Sequence, residues 1–181
     1  MKAQETEDLA AVARLFGRLL LRELDEPLRA TLVEEPLAGA LSACGLDVGR
    51  LHGADLDGLA AEYLERFVRP ATGGPLVQSL WTQGTYEGDA AVAARKLAEA
   101  AALDFDKEAA RGAPVDHLGS LLLLWATSLE RQPEVARRIE EEHLAWAVAP
   151  LERLAGEDGF YGSLAGAVAN LVRSLAGTSA P

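Results

Sequence analysis

Residues 118–129, Leu-Gly-Ser-Leu-Leu-Leu-Leu-Trp-Ala-Thr-Ser-Leu, constrain this chain more than any other stretch. They carry no charge and no proline, and most of them favour helix. The segment therefore predicts a helix that is apolar nearly all round. Such a helix must be enclosed by other elements. Its longest unbroken apolar run, Leu121–Ala126, is far below the roughly 20 residues that span a bilayer. No stable membrane insertion is expected, so the rest of the chain has to provide the enclosure.

It has the material to do so. Of 181 residues, 49% are hydrophobic and 25% charged, which is the balance of a globular chain with a core of its own. Ala, Leu, Glu and Arg abound and β-branched residues are scarce, so the expected class is all-α. We expect a single helical domain over 1–181, with seven or more helices around 118–129 and room for a minor N-terminal lobe over 1–70. Thr6 is the expected N-cap of the first helix, with Glu7 and Asp8 in its first turn and Leu9, Val12, Phe16, Leu19 and Leu20 on its inner face. Pro27 ends or restarts it. Short helices follow around Leu28–Val33 and Pro36–Ala43, with a stop at Cys44-Gly45. From Asp55 a further helix carries Leu56, Leu59, Tyr63, Leu64 and Phe67 and stops at Pro70. Residues 70–88 read as a long loop, packed through Leu76, Val77, Leu80, Trp81 and Tyr86. Asp89 should cap an Ala-rich helix to about Leu103, followed by a polar connector from Asp104 to Ala113. Beyond the central helix, Pro133 opens a helix with the stripe Val135, Ile139, His143, Trp146 and Leu151, kinked at Pro150. The last helix is expected over Phe160–Leu175, with Gly177–Pro181 frayed.

Charge and motifs narrow the function. The formal charge of −11 repels phosphate backbones, so no nucleic acid is expected as a partner. Acidity of this kind aids solubility and attracts basic peptides. The single cysteine, Cys44, excludes an internal disulfide and a cysteine zinc site, and a buried structural thiol is expected there. The acidic, polar start Met1–Asp8 is unlike a signal peptide, which points to the cytoplasm. No Gly-x-Ser-x-Gly elbow, phosphate loop or dinucleotide fingerprint is present. His52, His117 and His143 lack the i,i+4 partners of a helical metal site, so neither metal nor cofactor is expected.

One polar element stands against the central helix: Pro114-Val115-Asp116-His117 runs directly into Leu118. Buried polar groups there must bond to something. Asp116 at a helix start would accept exposed backbone N–H groups, with His117 tying down a neighbouring loop. An acid–base dyad is the chemical alternative, but no nucleophile lies near in sequence. Recognition of a ligand or peptide at the mouth of a groove is the third. His143 and Trp146, three apart on an apolar stripe, suit either core or contact. Glu140–Glu142 would be a solvated face able to meet a cationic peptide, and Trp81, in the loop, is the aromatic expected to be exposed as an anchor.

The Pro-x-Asp-His-Leu run opening an apolar helix resembles the TorD/DmsD/NarJ group, cytoplasmic chaperones that mature molybdenum redox enzymes. Gly73-Gly74-Pro75 followed by Ser79, Trp81 and Tyr86, then His143-Leu144-Ala145-Trp146, then Phe160-Tyr161, are similar in order to the group's other motifs. The match runs from about Leu15-Phe16 to Leu175. Departures are Gly112-Ala113, where the family often has an acid, the absence of an acid in 118–129, and Pro75-Leu76 in place of consecutive prolines. The resemblance implies a non-enzymatic chaperone with no cofactor of its own. Its partner would be the apo catalytic subunit of a molybdopterin-containing oxidoreductase, held by an N-terminal twin-arginine leader until the cofactor is inserted. Pro75, Ser79, Trp81, Tyr86, Pro114, Asp116, His117, Glu142, His143 and Trp146 would be the peptide-binding residues. A NarJ-like variant would hold the N-terminal tail of a membrane-bound nitrate reductase subunit. Outside the family, a helical small-molecule-binding domain and a hydrolase using Asp116 and His117 are the competing classes.

Overall fold

A computed structural model describes residues 3–69, 75–100, 110 and 112–178, and the chain is all-α. In order come α1 (Ala3–Leu21), α2 (Glu26–Leu32), α3 (Leu37–Ala43), a 3-10 turn at Val48–Leu51, and α4 (Leu56–Tyr63), which runs on as a π turn over Leu64–Val68. Then come α5 (Gln78–Gln83), α6 (Asp89–Ala100), α7 (Leu118–Arg131) and α8 (Pro133–Ile139). A π turn at Glu140–Leu144 and a 3-10 turn at Ala145–Ala147 lead to α9 (Val148–Ala155) and α10 (Phe160–Thr178). Among the described residues no strand forms, and the one β-bridge pairs Val77 with His117. No described helix is long and apolar enough to cross a membrane.

α7 occupies the centre, as its composition requires: Leu118, Leu121, Leu122, Trp125 and Ala126 are fully buried. α1 packs along it so closely that the backbones nearly touch. A Cβ on Gly119 would lie 2.7 Å from the carbonyl oxygen of Gly17 and 2.6 Å from Cγ of Leu21. α8 and the following π turn fold back on the other side, where the Trp125 indole Nε1 donates to Glu140 Oε1 at 2.8 Å.

The Phe160-Tyr161 pair ties α10 to the N-terminal half. Tyr63, Phe67, Phe160 and Tyr161 meet edge to face with centroids 5.1–5.6 Å apart. The Tyr161 hydroxyl accepts from Leu24 N, and the Tyr63 hydroxyl donates to Leu20 O, so both fix the chain where α1 ends. Beside them the largely buried Arg66 donates to Glu62, Glu157 and the carbonyl of Asp158.

Several boundaries differ from the sequence reading. α1 is already helical at Ala3, so Thr6 lies inside it and is no N-cap; Gln4 and Glu5 are good helix formers and extend it. Pro27 restarts the chain, with Asp25 Oδ1 capping Leu28 N at 2.9 Å. Residues 75–88 are not loop throughout, because α5 forms within them and stops at Gly84, whose φ of 73° suits glycine. The break expected at Pro150 comes earlier, at the π and 3-10 turns of 140–147, and Pro150 falls in the first turn of α9, where its missing N–H costs little. Leu64 is 40% exposed, because the π turn rotates it off the apolar face. Cys44 is exposed, contrary to expectation: it caps the end of α3, where Gly45 turns with φ 89° before the buried Leu46. α10 stays helical through Thr178, beyond the expected end at Leu175. Met1-Lys2, Gly73-Gly74, the expected helix end at Leu103, most of the Asp104–Ala113 connector and Ser179–Pro181 lie outside the described residues.

Candidate functional site

The start of α7 is held by two side chains whose tasks are the reverse of the sequence expectation. His117 is the N-cap, with φ −68° and ψ 135°, and its Nδ1 accepts from Gly119 N at 3.1 Å. The neutral ring must then carry its proton on Nε2. Burial pushes the imidazole down to about 4, against the opposing pull of the Asp116 carboxylate. Asp116, wholly buried, serves a different helix. Its Oδ2 accepts from Ser79 N at 2.8 Å and its carbonyl from Gln78 N at 3.0 Å, so it caps the start of α5. Leu118 N donates to Leu76 O at 2.8 Å, completing the stitch between 76–79 and 116–118.

Gln78 carries the connection to the C-terminal half. Its Nε2 donates to the carbonyl of Glu142 at 3.0 Å, which leaves Oε1 to accept from His143 Nδ1 at 2.8 Å. That order sets the tautomer of His143, with the proton on Nδ1 when the ring is neutral. Burial lowers its pKa, while the carboxylates of Glu142 and Asp116 oppose the shift. The carbonyl of His143 in turn accepts from Trp146 Nε1 at 2.8 Å. Gln78 was missed in the sequence because a glutamine in a Gly/Pro-flanked stretch looks the same whether it is solvated or bridging two buried elements.

Beside this centre in the chain lie Pro75, Trp81, Pro114, Glu142 and Trp146, whereas Tyr86 falls in the turn beyond α5. Pro75, Pro114, Trp81 and Trp146 are half-buried, whereas Glu142 and Tyr86 are exposed. Trp81 is not the exposed loop aromatic expected of it. It sits in α5, its Nε1 donates to Pro75 O at 3.1 Å, and the Arg153 guanidinium lies 5.0 Å from its ring centre. Tyr86, 53% exposed, is the aromatic open to solvent among the described residues. The three acids of 140–142 have partners already: Glu140 takes the Trp125 N–H, Glu141 pairs with Arg137, and Glu142 with Arg138 at 2.9 Å.

The structure thus brings Ser79, Asp116, His117, His143 and Trp146 into one hydrogen-bonded centre. Their bonded atoms largely serve the backbone, which is the work of a clamp joining three elements. Ser79 Oγ, Asp116 Oδ1, Ser120 Oγ and His143 Nε2 are buried polar atoms without a hydrogen-bond partner among the described residues. No described cluster of three His, Cys, Asp or Glu could hold a metal ion.

No protein-family model matches the chain, and no curated protein is similar to it in sequence. In structure it is similar to the crystal structure of a "putative redox enzyme maturation protein" from Archaeoglobus fulgidus. The TM-score is 0.61 at 18% identity, over 98% of this chain and 95% of that one. The two proteins share one all-α fold from end to end.

Proposed function

We propose that this protein is a maturation chaperone for a redox enzyme. On this reading it binds the N-terminal leader of a molybdopterin-containing oxidoreductase in the cytoplasm and holds the apo subunit until its cofactor is inserted. The observation that carries the proposal is the fold shared over nearly the whole of both chains with a protein described as a redox enzyme maturation protein. The Asp-His element, the His-Leu-x-Trp stretch and the Phe-Tyr pair all fall at structural joints of that fold, which supports it further.

The residues divide by position. Asp116, His117, Ser79 and His143 lie beneath the surface and position the elements around them. Pro75, Trp81, Tyr86, Pro114, Glu142 and Trp146 form the face that meets the peptide. Half-buried aromatics and prolines give a rigid apolar surface, and Glu142 offers a carboxylate to a leader arginine in exchange with Arg138. The protein supplies no reacting group and no cofactor in this role. It shields an apolar, cationic segment from premature export.

Isothermal calorimetry tests this with the leader of a molybdopterin-containing oxidoreductase subunit from the native host, in its Arg-Arg and Lys-Lys forms, and with the mature subunit. Binding of the Arg-Arg leader, weakened in the Lys-Lys form, is the expected result. Absence of heat with all three overturns the proposal. An N-terminal tail that binds without an arginine pair identifies the NarJ-like variant.

A further inference from the structure

The clamp that joins α5, α7 and the π turn leaves four side-chain atoms to be accounted for. Ser79 Oγ, Asp116 Oδ1, Ser120 Oγ and His143 Nε2 bond to nothing among the described residues. All four residues are buried, and His143 is the most accessible of them at 2%. They belong to one set of connections. Ser79 N donates to the other oxygen of the Asp116 carboxylate, and Ser120 lies four residues beyond Asp116 in the first turn of α7. Gln78, next to Ser79, accepts from His143 Nδ1, and the Asp116 charge acts on that imidazole across the centre.

Hydrogen-bond chemistry decides what fits among these atoms. Asp116 Oδ1 only accepts. His143 Nε2 only accepts as well, because the neutral ring carries its proton on Nδ1, toward Gln78. Glu142 Oε2, 4.0 Å from Nε2, is another acceptor with no proton to give. Ser79 and Ser120 each have one hydroxyl proton to donate. Left bare, each atom carries a desolvation cost with nothing to offset it. Two acceptors and two hydroxyls are what one water molecule matches, since it gives two hydrogen bonds and takes two. A metal ion fits less well: two of its ligands would be neutral hydroxyls, and no third His, Cys, Asp or Glu joins Asp116 and His143 among the described residues.

We propose that the clamp encloses a structural water site, in which one water donates to Asp116 Oδ1 and His143 Nε2 and accepts from the Ser79 and Ser120 hydroxyls. The water is then the fourth member of the clamp, tying α5, α7 and the π turn at 140–144 to one point. The site is independent of any partner held at the surface. Because its atoms are buried, the water exchanges only when the stitch between 76–79 and 116–118 opens.

A crystal structure of the full chain, grown without ammonium or metal salts and at a resolution that orders water, tests the site directly. The expected result is a fully occupied peak about 2.6–3.2 Å from Asp116 Oδ1, His143 Nε2 and at least one of the serine hydroxyls. Absence of that peak overturns the proposal, including the case in which the hydroxyls bond Asp116 Oδ1 and His143 Nε2 directly. A peak within about 2.4 Å of either acceptor is a metal ion and also overturns it. In solution, oxygen-17 relaxation dispersion counts long-lived buried waters. Ser120→Val puts a methyl where the hydroxyl stood and should remove one such water and lower the melting temperature, with circular dichroism confirming the fold. Ser120→Ala leaves the space and three partners, and should keep the water. A folded valine variant with the parent's count, or an equal loss in both variants, overturns the site. Should Ser120→Val not fold, the crystal structure alone decides.

Discussion

Replacing His117 by Asn separates the two tasks of this residue, because Asn is an equally good N-cap but does not titrate. In the folded protein Nδ1 is committed to Gly119 N, and burial holds the imidazole at about 4. In the unfolded chain an imidazole titrates near 6.5. The unfolded state therefore takes up the proton first as pH falls. The His117 contribution to stability is present in full above about 6.5, is lost progressively between about 6.5 and about 4, and is gone below that. Linkage between those two values gives a loss of about 2 kcal/mol between about pH 7.5 and about pH 5. The neighbouring His143 adds a slope of the same sign, but its protonation at Nε2 leaves the bond from Nδ1 to Gln78 intact. His117→Asn should therefore match the parent within about 1 kcal/mol at neutral pH and lose about 2 kcal/mol less on acidification. Urea unfolding followed by circular dichroism at both pH values measures this, provided the denaturant slopes agree. A variant that loses as much as the parent would refute the assignment of a neutral, capping His117.

The other perturbations address the clamp, the helix crossing and the proposed peptide-binding face. Asp116→Ala strands the buried Ser79 N–H and should cost about 1–3 kcal/mol, with Asp116→Asn milder because its amide oxygen still accepts; thermal melts should fall by about 2–4 °C per kcal/mol. Gly119→Ala pushes a methyl into the Gly17 carbonyl and Leu21 and should cost about 1–3 kcal/mol, seen as a lower urea midpoint at constant slope. Tyr86→Ala removes an exposed side chain, so its melting temperature should not change, while leader affinity measured by calorimetry should drop about tenfold.

The features legible in the sequence were those set by local composition. An uncharged, leucine-rich segment could only be the enclosed helix α7, and apolar spacing placed α1, α4 and α10 nearly where they lie. What could not be read depends on which distant group comes close. Asp116 and His117 are adjacent, and nothing local says that the first caps α5 and the second caps α7. α5 has six residues, too few to show a period, and its start is held by the Asp116 backbone and carboxylate thirty-seven residues away. Cys44 sits among small residues that suit either a core or a turn, and its place as the C-cap of α3, not its neighbours' composition, leaves it exposed. Ser79, Asp116, His117, His143 and Trp146 could be grouped from the sequence only because they fall on the motifs that carry its resemblance to the TorD/DmsD/NarJ group. Gln78, which belongs to no motif, could not.

A maturation chaperone of the kind proposed holds an immature redox enzyme. Tagged protein purified from its native host, with the co-eluting material quantified by mass spectrometry against an untagged control, tests it most directly. Stoichiometric enrichment of one oxidoreductase catalytic subunit is expected, with its N-terminal leader uncleaved and its molybdopterin absent. Recovery of the chain with no oxidoreductase subunit above the control, or only with the cofactor-loaded enzyme, would contradict it.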